Sequence, residues 1–328
     1  MSIKIEGSKG TEYTYNQDDI IGSGYYACVY KAYDKSKNLV AIKVVNNIPI
    51  KKRRKGSING SEKEVNILQR LNPTPYALSL VDIAKDKRYV YIITEYCEGG
   101  TLRNILASSK NGFLDEKTAI RYLYEIAKGL ATLHSHGIMH RDLNLDNILL
   151  RKGCCVIGDF GSATTNINSD TTCVGTPEYR APEIFLANSK RTYNKQADLW
   201  SLGVIFHEML FGKKPYEGES IQEIERKVLG GEYKIPDTNK KISKESKDLL
   251  RRLLLSNPPK RITLQQIFGH QIFDNFQINS LQDQQEPSSF NVNHNKIQIT
   301  TKKFTFLEKV IFPIIFVLFL LSFLVILN

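Results

Sequence analysis

This chain of 328 residues has few cysteines, and their placement limits the covalent and metal chemistry open to it. The five cysteines form neither the C-x-x-C pairs of zinc sites nor the dense pattern of a disulfide scaffold. The first ten residues also lack the continuous apolar stretch of a secretory signal. A reducing, cytosolic setting therefore fits the sequence best.

Positive charge is in excess, with a formal net charge of +11, and part of it is concentrated in the run KKRRK from Lys51 to Lys55. A nucleic-acid-binding run would be expected to carry interleaved aromatic residues, and this one has none. No nucleic-acid partner is therefore expected. A solvated loop is the commonest explanation of such a run, and contact with anionic lipid headgroups is the alternative.

The character of the chain changes after about residue 275. Residues 275–309 are rich in Gln, Asn, Ser and Asp, and we interpret them as a polar, flexible linker. Residues 310–327 are aliphatic or aromatic except for Pro313 and Ser322. As a helix they would extend ~27 Å, close to the thickness of a bilayer core, which predicts one C-terminal transmembrane helix.

The flanks of this apolar segment predict its orientation. Lys302, Lys303 and Lys309 precede it, so the chain before it is expected on the cytosolic side, as in a tail anchor. The short span and the absence of basic residues after it favour the endoplasmic reticulum over the mitochondrial outer membrane.

The central part of the chain has a mixed α and β pattern. From about Tyr15 to Asn47, apolar and aromatic runs separated by turn residues indicate a small antiparallel sheet, and Val90 to Glu95 indicates a buried strand. Residues 61–71 have helical periodicity, and residues 119–133 repeat apolar residues along one long amphipathic helix. More helices are predicted from about residue 197 to residue 273.

Two motifs in the predicted sheet indicate contact with phosphate. Gly22 and Gly24 lie in IGSGYYACVYKA, where glycine lets the N–H groups of a hairpin approach phosphate oxygens, although such hairpins are commonly just turns. In VAIK, residues 40–43, a single lysine, Lys43, lies in an apolar run, and a buried ammonium ion there requires an anionic partner such as a phosphate or Glu64. The alternative is a lysine whose ammonium group reaches the surface.

A third motif combines HRDLNLDN, residues 140–147, with DFG, residues 159–161. Asp142, Asn147 and Asp159 supply carboxylate and amide oxygens. Phosphoryl transfer needs a carboxylate that orients the attacking hydroxyl, and hard oxygen donors for Mg²⁺. These residue types meet both requirements.

In their order and spacing, these motifs resemble the eukaryotic protein kinase family from about Tyr15 to Phe273. The resemblance implies a two-lobed α+β fold in residues 15–274. A small β-rich N-lobe with helix αC is expected at about 15–97, and a larger, mainly helical C-lobe at about 98–274. It also implies ATP with Mg²⁺ or Mn²⁺ as cofactors, and protein substrates with Ser or Thr acceptors.

The resemblance implies a role for each motif residue. Asp142 would be the catalytic base, and Lys43 would contact the α and β phosphates with Glu64 as its partner on helix αC. Asn147 and Asp159 would bind the metal. The residues that would bind ATP are Ile21, Gly22, Gly24, Val29, Ala41, Lys43, Thr94, Glu95, Cys97 and Leu149.

The activation segment, residues 159–183, ends in GTPEYRAPE and resembles the serine/threonine form of the family. Thr176 would then hydrogen-bond near the catalytic aspartate. Glu183 at the end of this segment would pair with Arg261. Asp198 would hold the catalytic loop, residues 140–147.

Two residues depart from the family pattern. Ala27 stands where the third glycine of the phosphate loop is usual, and Asn144 stands where a lysine usually steadies the γ-phosphate. Loss of one charge-assisted contact costs ~2–3 kcal/mol in a transition state, or about 30- to 150-fold in rate. The function expected is therefore a serine/threonine kinase, and the alternative is a weakly active or non-catalytic scaffold that binds ATP.

Arg141, beside Asp142, resembles the cation that pairs with a phosphate on the activation segment, and Thr172 is the candidate acceptor of that phosphate. A merely polar loop is an equally good interpretation of Thr172 and its neighbours.

His134, His136 and His140 have a spacing that zinc sites also use. A structural role is favoured, because no carboxylate or cysteine completes a ligand set.

Overall fold

The computed structural model describes residues 2–24, 27–46, 60–71, 73–165, 175–186, 194–230, 233–237 and 241–274. They all belong to the unit Met1–Phe276. Three predictions fall outside these ranges: the basic run Lys51 to Lys55, the phosphorylation site Thr172, and the linker and transmembrane segment at 275–327. Within the described ranges, no helix is long and apolar enough to cross a membrane.

The N-lobe contains one antiparallel sheet of six strands in the spatial order β1-β2-β3-β4-β6-β5. The strands are β1 (Ser2–Glu6), β2 (Glu12–Ser23), β3 (Ala27–Asp34), β4 (Leu39–Asn46), β5 (Leu80–Lys85) and β6 (Tyr89–Glu95). The β-branched and aromatic residues of β4 and β6 suit the middle of the sheet, where side chains pack on a pleated surface. The one helix among the described residues of this lobe, α1 (Gly60–Leu71), follows the predicted helix closely.

β1 lies outside the predicted sheet, which begins at Tyr15. It pairs with β2 from Ser2 opposite Asn16 to Glu6 opposite Glu12. Only Ile3 and Ile5 of its five residues are apolar, and two residues are too few to establish a strand pattern. Both pack against the tyrosine-rich core enclosed by the sheet.

The turn between β1 and β2 is fastened to β5 by Asp82. Ser8 Oγ donates to Asp82 Oδ1 at 2.7 Å, and Tyr13 OH donates to Oδ2 at 3.3 Å. The N–H of Ser8 also donates to the carbonyl oxygen of Ile83 at 2.7 Å. Asp82 is only 2% exposed, and a buried carboxylate is tolerated where donors surround it in this way. The first and last strands of the sheet are thereby joined.

The C-lobe is mainly helical, as predicted. Its elements are α2 (Leu102–Ser108), α3 (Glu116–Ser135), the hairpin β7 (Ile148–Arg151) and β8 (Cys154–Ile157), α4 (Pro182–Phe185), α5 (Lys195–Phe211), α6 (Ile221–Leu229), α7 (Lys244–Leu253) and α8 (Leu264–Phe268). α3 packs against α5, whose residues are all buried from Ala197 to Leu210. A helix that is buried on all sides belongs in a core. α5 also contacts the catalytic loop, because Asp198 at its start accepts the N–H groups of His140 and Arg141. The β-rich and helical lobes agree with the predicted two-lobed α+β fold.

Candidate active site

Lys43 stands at the centre of the site, on β4. Its ammonium nitrogen lies 2.7 Å from Glu64 Oε1 on α1 and 2.7 Å from Asp159 Oδ1 in the DFG sequence after β8. Burial alone would lower the pKa of Lys43, but the charges of the two carboxylates raise this pKa above its usual value. The side chain is therefore an ammonium ion held between two anions.

Three residues predicted to contact ATP share one face of the sheet with Lys43. Side chains two residues apart on a strand point to the same face, which places Ala41 with Lys43. Val29 is paired with Lys43, and Thr94 is paired with Ala41, so both lie on that face. The sheet thus presents Val29, Ala41 and Thr94 as one surface beside the ammonium ion.

The glycine hairpin joins β2 to β3. Gly22 is paired with Val29, and the N–H of Gly24 donates to the carbonyl oxygen of Ala27 at 2.8 Å. Ile21, on the same hairpin, is 48% exposed, so its contact with a nucleotide stays a prediction.

Glu95 and Cys97 lie where β6 leads out of the sheet. The Glu95 carboxylate accepts hydrogen bonds from Arg151 of β7 at 2.6 and 2.7 Å, and the N–H of Glu95 donates to the carbonyl oxygen of Ser79 at 3.1 Å, so contact of Glu95 with a nucleotide stays a prediction. Burial raises the pKa of the Cys97 thiol to about 12, so this thiol stays neutral at physiological pH. Leu149, also on β7, lies against Gly158, where an added Cβ would be 3.0 Å from Leu149 Cδ1.

Asp198, buried at the start of α5, holds the backbone that leads into Asp142. Its carboxylate accepts the N–H groups of His140 and Arg141, both at 3.0 Å, and lies 2.9 Å from His134 Nε2. Burial alone would raise the pKa of Asp198, but the hydrogen bond and charge of His134 hold this pKa below its usual value. Arg141 has a φ of 67°, a strained conformation that these bonds help to maintain.

Asp142 is tied to the activation segment through Thr176. The N–H and the hydroxyl of Thr176 both donate to Asp142 Oδ1 at 2.9 Å. Asn147 Nδ2 donates to the carbonyl oxygen of Asp142 at 2.8 Å. Because an amide nitrogen donates and only the amide oxygen carries available lone pairs, Asn147 Oδ1 is the atom that can serve as a metal ligand.

Asn147 and Asp159 have the donor chemistry that Mg²⁺ prefers. Among the described residues, no group of three His, Cys, Asp or Glu side chains could hold a metal ion by itself. Mg²⁺ usually takes one or two protein carboxylates and completes its coordination with phosphate oxygens and water. One carboxylate and one amide oxygen therefore fit a metal ion that is bound together with a nucleotide.

A cluster around Arg103 of α2 is absent from the sequence prediction. Its guanidinium donates to Glu208 Oε1 at 2.6 Å and to Tyr179 OH at 2.9 Å, and its Nε donates to Asp146 Oδ2 at 3.2 Å. Tyr179 OH also donates to Glu208 Oε2. The sequence does contain one indication of this cluster: Glu208 lies inside the apolar run that forms α5, and a buried carboxylate requires a partner. The cluster connects the catalytic loop with the activation segment.

Glu183 and Arg261 form a forked ion pair at 2.8 and 2.9 Å. Arg261 is 1% exposed and also donates to the carbonyl oxygens of Gln196 and Leu255. The pair anchors the end of the activation segment to the helical lobe.

A β-rich lobe with a doubly paired lysine, combined with a loop that carries an aspartate and an asparagine, is the architecture of the protein kinases. The profile described as "Protein kinase domain" matches residues 15–273. This chain belongs to the protein kinase family.

Curated relatives are serine/threonine kinases. The chain is 36% identical over 256 residues to "Serine/threonine-protein kinase PLK4" of Danio rerio, which covers 76% of this chain and 26% of that protein. It is 36% identical over 261 residues to "Serine/threonine-protein kinase ULK3" of Xenopus laevis, which covers 77% of this chain and 54% of that protein. The chain thus spans about a quarter of the one relative and about half of the other. The resemblance to ATP- and Mg²⁺-dependent serine/threonine kinases is confirmed.

Proposed function

We propose that this chain is an active kinase that transfers the γ-phosphate of ATP to Ser or Thr hydroxyls of proteins. The observation that carries the proposal is the ammonium ion of Lys43, held by Glu64 and Asp159. These contacts keep a charged donor in place beside the nucleotide-facing surface of the sheet. Thr176, bonded to Asp142, supports Ser and Thr as acceptors.

Each side chain has its own part in the proposed reaction. Lys43 binds phosphate oxygens, while Asn147 and Asp159 hold Mg²⁺. The metal ion, when bound, neutralises charge that develops on the phosphates. Among the described residues, all hydrogen bonds to the Asp142 carboxylate end on Oδ1, so Oδ2 is the oxygen that orients the acceptor hydroxyl and takes its proton.

Phosphate incorporation into a generic acceptor protein tests the proposal. We expect transfer by the natural chain and a fall to background in Asp142→Asn, with Asp237→Asn, an exposed aspartate outside the site, as the matched control. Equal, background-level incorporation by the natural chain and Asp142→Asn would contradict it. Nucleotide binding without transfer would then favour the alternative, a kinase-like scaffold.

We further propose that residues 310–327 anchor the chain in a membrane as a single span, with the kinase domain in the cytosol. The support is the apolar composition of these residues and the lysines before them. Lys51 to Lys55 would contact anionic lipids, and the endoplasmic reticulum is the favoured membrane. Fractionation with alkaline extraction tests the anchor: release into the soluble fraction would refute it.

Regulation by phosphorylation of Thr172 is a third proposal, with Arg141 as the cation that receives the phosphate. Lys63 of α1 supports it, because burial and the charge of Arg141 lower the pKa of Lys63. The lowered pKa means that the positive charges of Lys63 and Arg141 repel each other, and an anion such as a phosphate placed near both would relieve that repulsion.

A further inference from the structure

Asn144 lies inside the catalytic loop with its side-chain nitrogen between Asp142 and Thr176. Nδ2 is 3.0 Å from Asp142 Oδ1, 3.1 Å from Thr176 Oγ1 and 3.2 Å from the carbonyl oxygen of Asp142. Asn144 is 4% exposed, so these contacts are shielded from water. The same Oδ1 also accepts two bonds from Thr176. Three donors therefore restrict the rotation of the Asp142 carboxylate.

The oxygen of the same amide group organises the next turn of the loop. Asn144 Oδ1 accepts the N–H of Asp146 at 2.9 Å and the N–H of Asn147 at 3.2 Å. An asparagine that bonds the backbone two and three residues ahead stabilises a turn. That turn presents Asn147, the candidate metal ligand.

Both functions require an amide. Lysine can donate hydrogen bonds but cannot accept them, and an ionised aspartate can accept but cannot donate. Only an asparagine side chain of this length offers donors toward Asp142 and an acceptor toward Asn147 at once. Asn144 therefore makes hydrogen bonds in this loop that a lysine at the same position could not make.

We propose that Asn144 is a positioning residue, whose amide couples the orientation of Asp142 and Thr176 to the turn that presents Asn147. The proposal rests on the proposed kinase function. It implies that lysine, although usual in the family at this place, does not improve this enzyme. A lysine would leave the N–H groups of Asp146 and Asn147 without their side-chain acceptor.

Two substitutions separate the two halves of the amide. Asn144→Asp keeps the acceptor, removes the donors and sets a carboxylate against Asp142. We expect kcat to fall about 100-fold with the KM for ATP within about threefold, because orientation of the base acts on the chemical step.

Asn144→Lys keeps donors and removes the acceptor. We expect kcat to fall about tenfold and the Mg²⁺ concentration for half-maximal binding of a fluorescent ADP analogue to rise about fivefold.

The matched control is Asn66→Asp, the same chemical change on the exposed side of α1, and it should leave all three quantities unchanged. Thermal melting establishes whether each variant is folded. If one of the two Asn144 variants is not folded, the kinetics of the other variant test the proposal. A kcat for Asn144→Lys above that of the natural chain, or an unchanged kcat for Asn144→Asp, would overturn the proposal. If the natural chain transfers no phosphate, the kinase proposal fails, and the Mg²⁺ dependence of ADP binding alone decides the role of Asn144.

Discussion

Lys43 and Glu64 form an ion pair of 2.7 Å that joins β4 to α1, although 21 residues separate them in the chain. The Glu64 side chain is 7% exposed and that of Lys43 is 20% exposed. A pair shielded in this way is weakly screened by salt. The position of α1 is thereby coupled to the position of the ammonium ion on the face of the sheet that carries Val29, Ala41 and Thr94.

Glu64→Gln should lower kcat/KM for ATP about 30- to 150-fold, which corresponds to ~2–3 kcal/mol for one charge-assisted contact. Without the Glu64 charge, the ammonium ion is left with Asp159, the proposed metal ligand, and competes with Mg²⁺ for it. The Mg²⁺ concentration for half-maximal rate should therefore rise as well. Initial rates over a grid of ATP and Mg²⁺ concentrations measure both effects.

The control for Glu64→Gln is Glu62→Gln on the same helix. Glu62 is half exposed and lies 4.0 Å from Lys85, so its removal should change neither quantity. Equal rates for the natural chain and Glu64→Gln would mean that the ion pair does not position Lys43 in the reacting complex.

The prediction from sequence was most complete where chemistry lies in short runs of neighbouring residues. Asp142 and Asn147 are five residues apart, and a loop of that length can be recognised by residue type alone. Burial of Lys43 indicated an anionic partner and made Glu64 one candidate, and the family resemblance then placed Glu64 on helix αC, but the contact itself depends on how α1 packs on the sheet.

Contacts between distant residues that belong to no family motif were not accessible from the sequence. Arg103 and Glu208 are 105 residues apart, and Ser8 and Asp82 are 74 apart. Periodicity reports which face of an element is buried, and it does not report which polar group meets another. For Asn144 the sequence indicated a missing charge, whereas the structure shows which five groups its amide binds.

Gly7→Ala should destabilise the N-lobe, because the turn between β1 and β2 lies directly on β5. A Cβ at Gly7 would press on the Asp82 carboxylate and lie 2.9 Å from Tyr13 Cε2. Overpacking of a closed site costs ~1–3 kcal/mol, which urea unfolding should report as a lower midpoint with an unchanged slope. Gly60→Ala, where an added Cβ meets nothing within 4 Å, should leave the stability unchanged or slightly higher. An unchanged midpoint for Gly7→Ala would show that this turn is free to move away from Asp82.

If a phosphate on Thr172 binds Arg141 and Lys63 in the active protein, Thr172→Ala should lower the kinase activity at least tenfold. A phosphate can form several charge-assisted hydrogen bonds with such cations and order the segment that contains it. The measurement is initial rate together with the phosphate content of residue 172 by mass spectrometry. Ser169→Ala, in the same part of the activation segment, is the control. Full activity in Thr172→Ala would remove this regulatory hypothesis.

His207 should make the stability of the folded protein sensitive to acid at pH values below about 6.5. It is 1% exposed in α5, and Nδ1 lies 2.7 Å from the carbonyl oxygen of Lys213. Burial lowers the pKa of His207 from 6.5 to about 4, so at pH 5 the unfolded chain binds a proton that the folded chain does not. The free energy of unfolding should therefore decrease as the pH falls from about 6.5 to about 4.

His207→Asn removes the titrating group and keeps a donor for the Lys213 carbonyl oxygen. At ~1.4 kcal/mol per pH unit, the natural chain should lose about 2 kcal/mol more stability between pH 7 and pH 5 than this variant. Urea unfolding at the two pH values measures the difference, and loss of packing in the variant cancels because each protein is compared with itself. His136→Asn, at the exposed end of α3, should follow the natural chain. Parallel pH dependence of the natural chain and His207→Asn would mean that His207 is protonated in the folded protein.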